Sequence, residues 1–148
     1  MTATDQPRPL AIRKQDTLHR LTHDVDAWVS TAGLDGTPYL IPLSFLWTGE
    51  HLYLSTATTN PTARNLHENP RLQLTIGTVR DVVHVIGTTD DTQPTPAQAQ
   101  AFATKAGFDP RPLPNYPFIR VTPTQIQAWR EANELKDRTL MTNGTWQI

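Results

Sequence analysis

The chain has 148 residues, a formal net charge of -1 and charged residues at 18% of its positions, with the two signs interspersed. This length predicts one domain with its own core, and the charges form neither a basic stripe for nucleic acid nor an acidic tail. Cysteine is absent, which excludes disulfides and thiolate metal sites. No apolar run approaches the roughly 20 residues of a membrane span, and the N-terminus has no signal-peptide core. We therefore expect a cytoplasmic protein without a membrane or nucleic-acid partner.

The first third of the chain changes from a helical to a strand-like pattern. We predict that residues 1–9 form a disordered arm and that residues 10–148 form a single domain. Leu10, Leu18 and Leu21 have the spacing of an amphipathic helix. Apolar residues then recur with a period of two, interrupted by a hairpin signal of type I' at Asp35-Gly36. The predicted elements here are a helix over residues 10–22 and strands over residues 27–32, 37–47 and 51–56.

The rest of the chain contains two further helices among short strands. Asn60 is a preferred N-cap and Pro61 suits a first helical position, so a helix is predicted from Pro61 to about Asn69. The later predicted elements are strands over residues 71–77 and 81–87, a helix over residues 96–106 ending at Gly107, strands over Phe118–Val121 and Ile126–Arg130, and a hairpin turning at Asn143-Gly144. Many short strands with about three helices indicate a mainly β domain, an antiparallel barrel or sandwich.

A candidate anion site lies where a predicted strand leads into the second helix. The strand ends at Ser55 and Thr56, the loop contains Asn60, and the first helical turn carries Thr62 and Arg64. The free N–H groups of a helix N-terminus attract anions, and hydroxyls with one guanidinium can complete a phosphate cradle. The same residue types are also common in turns and caps, so a purely structural role stays open.

Other chemical signals are weaker. His19 and His23 are four residues apart on the first helix, but no third ligand accompanies them, so no metal site is expected. His84 lies among valines and is interpreted as a hydrogen-bonded core residue. No nucleophile elbow and no dinucleotide-binding fingerprint occurs, so no catalytic side chain is predicted.

The C-terminal segment carries the most specific pattern. Ile126-x-x-Trp129 followed by Leu135-x-Asp137-Arg138 resembles the C-terminal segment of the pyridoxamine 5'-phosphate oxidase family. Three further segments resemble that family in the same order, so that the resemblance spans roughly residues 15–148. They are the Asp-Gly-x-Pro hairpin at residues 35–38, the flavin-edging strand at residues 41–47, and the phosphate-gripping strand and helix start at residues 52–56 and 61–66.

The resemblance implies an antiparallel split β-barrel of the type that binds flavin mononucleotide (FMN). It further implies a homodimer with the cofactor at the subunit interface and an oxidoreductase activity on a small molecule, with the chemistry carried by the flavin. The cofactor-binding residues implied are Pro42, Leu43, Ser44, Ser55, Thr56, Asn60, Thr62 and Arg64, together with Trp129 and Arg138 from the second subunit.

Two departures from the family pattern affect the expected ligand. Thr62 stands where most members carry a phosphate-binding lysine. Glu134 and Lys136 lie in the region where pyridoxamine 5'-phosphate oxidases place an Arg and a His for the substrate's phosphate. A carboxylate facing a phosphate would be repulsive, so pyridoxamine 5'-phosphate is not the expected substrate.

Several alternatives stay open. The chain could be a reductase using the deazaflavin coenzyme F-420, with Arg80, Arg111 and Arg120 as candidates for binding its anionic tail. It could also be a flavin-binding or ligand-binding module without turnover, or a sheet-edge interaction protein that has lost its cofactor. Trp129 could be a core or dimer-interface aromatic, and Arg138 could form a salt bridge with its neighbour Asp137 or with Glu134.

Overall fold

The computed structural model describes residues 6–148. The elements are helix α1 (Leu10–His23), strands β1 (Asp26–Ala32), β2 (Pro38–Ser44), β3 (Leu46–Trp47) and β4 (Leu52–Ser55), helix α2 (Pro61–Glu68), strands β5 (Arg71–Thr78) and β6 (Asp81–Asp90), helix α3 (Pro96–Ala106), and strands β7 (Phe118–Trp129), β8 (Thr139–Thr142) and β9 (Thr145–Trp146). The strands within this range form one antiparallel sheet in the order β2-β1-β5-β6-β7-β4-β3, with β8 and β9 attached beside β7. Because β2 also contacts β4, the sheet curves into a barrel. The mainly β, antiparallel prediction is confirmed.

The strand register places one apolar row inside the barrel. Val29, Leu74, Val85 and Ile126 lie opposite one another on β1, β5, β6 and β7, and each is at most 1% exposed. The neighbouring residues on these strands point to the other face of the sheet, since side chains alternate along a strand. That outer face carries Trp28, which is 51% exposed, and the partly exposed His84 and Gln127. We call it the outer sheet face.

A second, smaller core lies between the sheet and α3. Tyr53 on β4 and Phe118 on β7 pack against Phe102 and Ala99 of the helix. β4 is therefore buried on both sides, with Leu52 and Leu54 turned toward the barrel interior. The predicted bounds of α3 are confirmed, because the Thr95 side chain forms a reciprocal capping box with Gln98 and Gly107 ends the helix at φ 68°.

The predicted pair of short C-terminal strands is wrong, because β7 runs unbroken from Phe118 to Trp129. A register shift opposite the pair Ile86/Gly87 leaves Thr124 as an extra residue between Pro123 and Gln125. The Thr124 hydroxyl donates a hydrogen bond of 3.1 Å to the carbonyl of Ile86. Proline is tolerated at such a bulge, so Pro123 does not end the strand.

Two further local predictions are also corrected. The strand predicted over residues 37–47 is interrupted at Phe45, whose N–H donates to the carbonyl of Val25 and whose ring is fully buried. The turn at Asp35-Gly36 is not type I', because only Gly36 has a positive φ. The predicted hairpin turn at Asn143-Gly144 is confirmed, and the φ values of 51° and 76° match a type I' turn.

Three charged side chains at the barrel's end form what we call the Arg–Glu cluster: Arg8, Arg13 and Glu134. Arg8 donates to the Glu134 carboxylate from its backbone N–H (2.8 Å), its Nε (2.9 Å) and its Nη2 (2.8 Å). Residues 1–5 of the predicted disordered arm lie outside the described residues, whereas Arg8 of that arm is fixed by these bonds to Glu134. Burial alone would raise the pKa of Glu134, but the bonds from Arg8 and from the N–H of Arg130 outweigh it and lower that pKa to about 2.

Arg13 completes the cluster from α1. It is only 1% exposed, and its Nη1 donates to the carbonyls of Ala128 (3.3 Å), Glu134 (3.1 Å) and Asp137 (3.3 Å). One guanidinium on the first helix thereby joins the end of β7 to the segment that follows it.

Replacing Glu134 by glutamine tests the cluster. The substitution Glu134→Gln leaves the buried Arg13 guanidinium without its counter-charge and the half-buried Arg8 with Asp16 alone, so we expect it to lower the free energy of unfolding by about 3–5 kcal/mol. The matched control is Glu131→Gln, which removes the exposed ion pair between Arg80 and Glu131 and should cost less than about 1 kcal/mol. Urea denaturation of both variants measures the difference. Equal effects of the two substitutions would contradict a stabilising role for the cluster.

The cluster also predicts a pH dependence. The pKa of Glu134 in the folded protein lies below its ordinary value of 4.5, so the stabilisation is complete above about pH 4.5 and is lost as the pH falls toward 2. By pH 3 about 2 kcal/mol should be lost through this group. We expect the difference in unfolding free energy between wild type and Glu134→Gln to shrink by that amount between pH 7 and pH 3. A constant difference would contradict the lowered pKa.

Candidate functional site

A cavity of about 390 Å³ opens where β2 meets β4, and we call it the β2–β4 cavity. The predicted cofactor-binding residues Pro42, Leu43 and Ser44 contribute one wall, and the predicted Ser55 contributes another. Its remaining lining residues are Asp26, Phe102 and Phe108, which the sequence reasoning missed. α3 and the loop after it bring both phenylalanines to the cavity, and no local sequence pattern indicates that docking.

The polar groups of the cavity are hydrogen-bond acceptors. The Ser44 hydroxyl donates to Asp26 Oδ1 at 2.7 Å, and the Ser55 hydroxyl donates to the carbonyl of Tyr116 at 3.2 Å. Both hydroxyl hydrogens are therefore already used within the protein, and the oxygens retain only acceptor capacity. The Asp26 carboxylate accepts as well. A ligand polar group that donates hydrogen bonds matches this wall.

The predicted anion loop lies directly after the cavity strand. Asn60 occupies the N-cap position of α2, as predicted, but its side chain does not cap the helix. Its Nδ2 donates instead to the hydroxyl of Thr56 at 2.9 Å, and Thr56 is only 3% exposed. Thr62 is completely buried, and its hydroxyl has no hydrogen-bond partner among residues 6–148.

Arg64 does not line the β2–β4 cavity. Its exposed side chain borders two other cavities, of about 480 Å³ and 620 Å³, on either side of α2. The smaller one lies against the β1–β2 loop at Leu34 and Asp35. The larger one lies against Phe118 and the end of β6. The structure therefore separates the predicted guanidinium from the predicted flavin-edging strand.

Trp129 and Arg138 form a pair at the other end of the barrel. The guanidinium carbon of Arg138 lies 5.4 Å from the Trp129 ring centroid, a cation–π distance. Phe118 pairs with Ser55, and the length of β7 separates Phe118 from Trp129. At roughly 3.3 Å per residue this is about 35 Å along the strand. One subunit therefore does not unite the Trp129–Arg138 pair with its own β2–β4 cavity.

Several charged residues have partners other than those considered from sequence. Glu134 binds Arg8 instead of Arg138, and its carboxylate is buried, so the predicted repulsion of a substrate phosphate by Glu134 is wrong. His84 is not a core residue, because it lies on the outer sheet face and contacts Gln73 at 2.7 Å. The three arginines considered for an F-420 tail each form an ion pair: Arg80 with Glu131, Arg111 with Asp109, and Arg120 with Asp90.

Lys105 lies close to the cavity on α3. Its Nζ is 3.9 Å from the centroid of the Phe45 ring and 3.5 Å from the carbonyl oxygen of Leu21. Burial lowers the pKa of Lys105 to about 8, although the nearby carboxylates of Asp24 and Asp26 act to raise it. No pattern around residue 105 marks this environment, because long-range packing of α3 creates it.

Two further features are absent from the part of the chain that the structure describes. None of its helices is long and apolar enough to cross a membrane. No group of three or more His, Asp or Glu side chains between residues 6 and 148 is placed to hold a metal ion.

Several known proteins are similar to this chain in sequence or in fold. The pyridoxamine 5'-phosphate oxidase family profile matches residues 21–130. No curated protein matches the sequence. An F420 reductase of known structure is 23% identical, with 73% of this chain and 93% of that chain aligned at a TM-score of 0.62. An FAD-binding protein from Mesorhizobium loti is 18% identical, with 76% and 90% aligned at 0.60.

A heme-binding protein from Mycobacterium smegmatis also has this fold, at 15% identity and a TM-score of 0.70 over 93% of this chain and 59% of that one. At these identities the solved structures establish the shared split-barrel fold alone. They confirm the predicted fold class, and the family profile covers more than half of the sequence. The chain therefore belongs to the pyridoxamine 5'-phosphate oxidase family.

Proposed function

We propose that this protein is a flavin-dependent oxidoreductase that binds its cofactor in the β2–β4 cavity and acts on a small molecule. One observation carries the proposal. The cavity at the split of the barrel brings Pro42, Leu43, Ser44 and Ser55 together, in a chain that belongs to this family. FMN is the first cofactor to test. A cytoplasmic location stays a prediction.

The residues of the cavity would orient the ligand and exclude water. A bound flavin supplies the redox chemistry. The Asp26–Ser44 pair and the Ser55 hydroxyl would accept hydrogen bonds from the polar edge of the ring. Phe102 and Phe108 would cover an apolar face. No side chain of this set is needed as a nucleophile.

A homodimer would complete the site. The outer sheet face exposes Trp28 (51%) and Leu40 (58%), and apolar surface of this kind favours association. Val82 on the same face lies opposite Trp129 in the register. A second copy packed on this face could bring its Trp129 and Arg138 over the first subunit's cavity, which a single subunit cannot do.

Two other functions have specific support. An F420 reductase is among the proteins with this fold, but Arg80, Arg111 and Arg120 are each occupied by a carboxylate, which favours the flavin. A binding module without turnover is supported by the β2–β4 cavity, which no Lys or Arg side chain lines. A heme-binding protein shares the fold, so this architecture also holds a ligand other than a flavin.

An absorbance spectrum of the purified protein, before and after dialysis against excess FMN, tests the proposal. We expect the two-band spectrum of an oxidised flavin at about one cofactor per subunit. Ser44→Trp should abolish retention because the indole fills the cavity, whereas Thr104→Trp on the exposed side of α3 should retain the cofactor. A deazaflavin spectrum after incubation with F-420 alone would favour the reductase, and retention of neither F-420 nor any flavin, riboflavin included, would contradict both enzymatic functions.

The dimer is tested by sedimentation. We expect the wild type to sediment as a dimer and Trp28→Arg to shift it toward the monomer, because a charge buried in an apolar interface is unfavourable. Leu34→Arg is the control, since Leu34 is 81% exposed in the β1–β2 loop. The monomeric variant should also lose the cofactor. A monomeric wild type that retains flavin would contradict the shared site.

A further inference from the structure

The elements around the β2–β4 cavity are poor in positive charge. Residues 21–63 contain no lysine and no arginine, and this stretch includes β1, β2, β3, β4 and the start of α2. The same stretch contains four carboxylates, at Asp24, Asp26, Asp35 and Glu50. Proteins ordinarily hold a phosphate with Arg or Lys, through charge-assisted hydrogen bonds. The cavity wall offers no such group.

The side chains of Asn60, Pro61 and Thr62 at the start of α2 do not supply the missing contacts. Pro61 has no N–H to donate. The amide of Asn60 is engaged by Thr56. Thr62 is 0% exposed, so its hydroxyl does not reach a ligand on the surface of the loop. The lining of the β2–β4 cavity therefore offers hydrogen-bond acceptors to the ring of a flavin and no cation to its phosphate.

The nearest cations are directed elsewhere. Arg64 borders the cavities on either side of α2 and does not line the β2–β4 cavity. Lys105 has its ammonium over the Phe45 ring, and the carboxylates of Asp24 and Asp26 attract it there. The cavity itself presents the Asp26 carboxylate and two hydroxyl oxygens that only accept. A phosphate dianion beside Asp26 would be repelled, whereas neutral N–H and O–H donors would be bound.

We infer that the β2–β4 cavity selects a flavin without a phosphate, or a neutral heteroaromatic compound of that chemistry, over FMN. The inference rests on the proposed function, because it names the ligand class of the same site. The family resemblance implied FMN as the cofactor. In this chain strands β2 and β4 form the expected cavity, but no Lys or Arg lines it to hold a phosphate.

The test is a pair of titrations on the full-length wild-type protein, following the quenching of flavin fluorescence by riboflavin and by FMN. We expect riboflavin to bind at least as tightly as FMN. FMN binding more than about tenfold tighter would overturn the inference while leaving the proposed function standing. Binding of neither compound would overturn both. The two failures are therefore distinguishable from one experiment.

A positive charge placed at the start of α2 tests whether the lack of a cation is what disfavours FMN. Thr62→Lys should tighten FMN binding about tenfold and leave riboflavin binding unchanged, since a charge-assisted hydrogen bond forms only with the phosphate. Because Thr62 is buried, Thr59→Lys on the exposed loop is made in parallel. Thr145→Lys, exposed on β9, adds the same charge at a distance as the control. No gain for FMN in either loop variant would overturn the inference.

Discussion

Arg13 and Glu134 are 1% and 2% exposed, and burying either charge without the other would cost several kcal/mol. Their cluster with Arg8 joins residues that are 126 positions apart in the chain. Arg13 also holds the carbonyl of Asp137, a residue forced to a φ of 59°. This contact fixes the chain immediately before Arg138 and thereby sets that guanidinium beside Trp129. The pair proposed to close over a partner's cofactor thus depends on a charge buried under the first helix.

The barrel positions the other half of the site by a different constraint. β4 is buried on both sides because α3 covers the face that the barrel interior does not. Ser55 ends β4 as a buried residue and lines the cavity together with Ser44, the last residue of β2 before Phe45 leaves the strand and bonds Val25. The cavity is the gap that remains between two strands that contact without pairing.

Local signals predicted the elements that local interactions determine. The bounds of α3 follow from Thr95, Gln98 and Gly107, all within or beside the helix. The predictions that failed depend on distant contacts. The continuity of β7 through Pro123 depends on a bulge against β6. The role of Glu134 depends on an arginine near the other terminus, and the docking of α3 that brings Phe102 and Phe108 to the cavity leaves no periodic trace. The cavity residues on β2 and β4 could therefore be predicted from the sequence, whereas Phe102 and Phe108, which cover the cavity, could not.

The barrel and the phosphate-binding residues depend on different parts of the chain, so a member of this family can keep the barrel and bind a different ligand. A split barrel supplies the gap between β2 and β4 through backbone geometry and buried apolar rows, none of which requires a cation. Phosphate recognition requires a few charged side chains at the start of α2, and their loss leaves the barrel intact because such residues lie outside its core. In this chain the position is filled by Thr62, which packs inward, and Arg80, Arg111 and Arg120 are engaged by carboxylates. Arg64 faces the cavities beside α2, so under the inference above the acceptors at Asp26, Ser44 and Ser55 would select the ligand of the β2–β4 cavity.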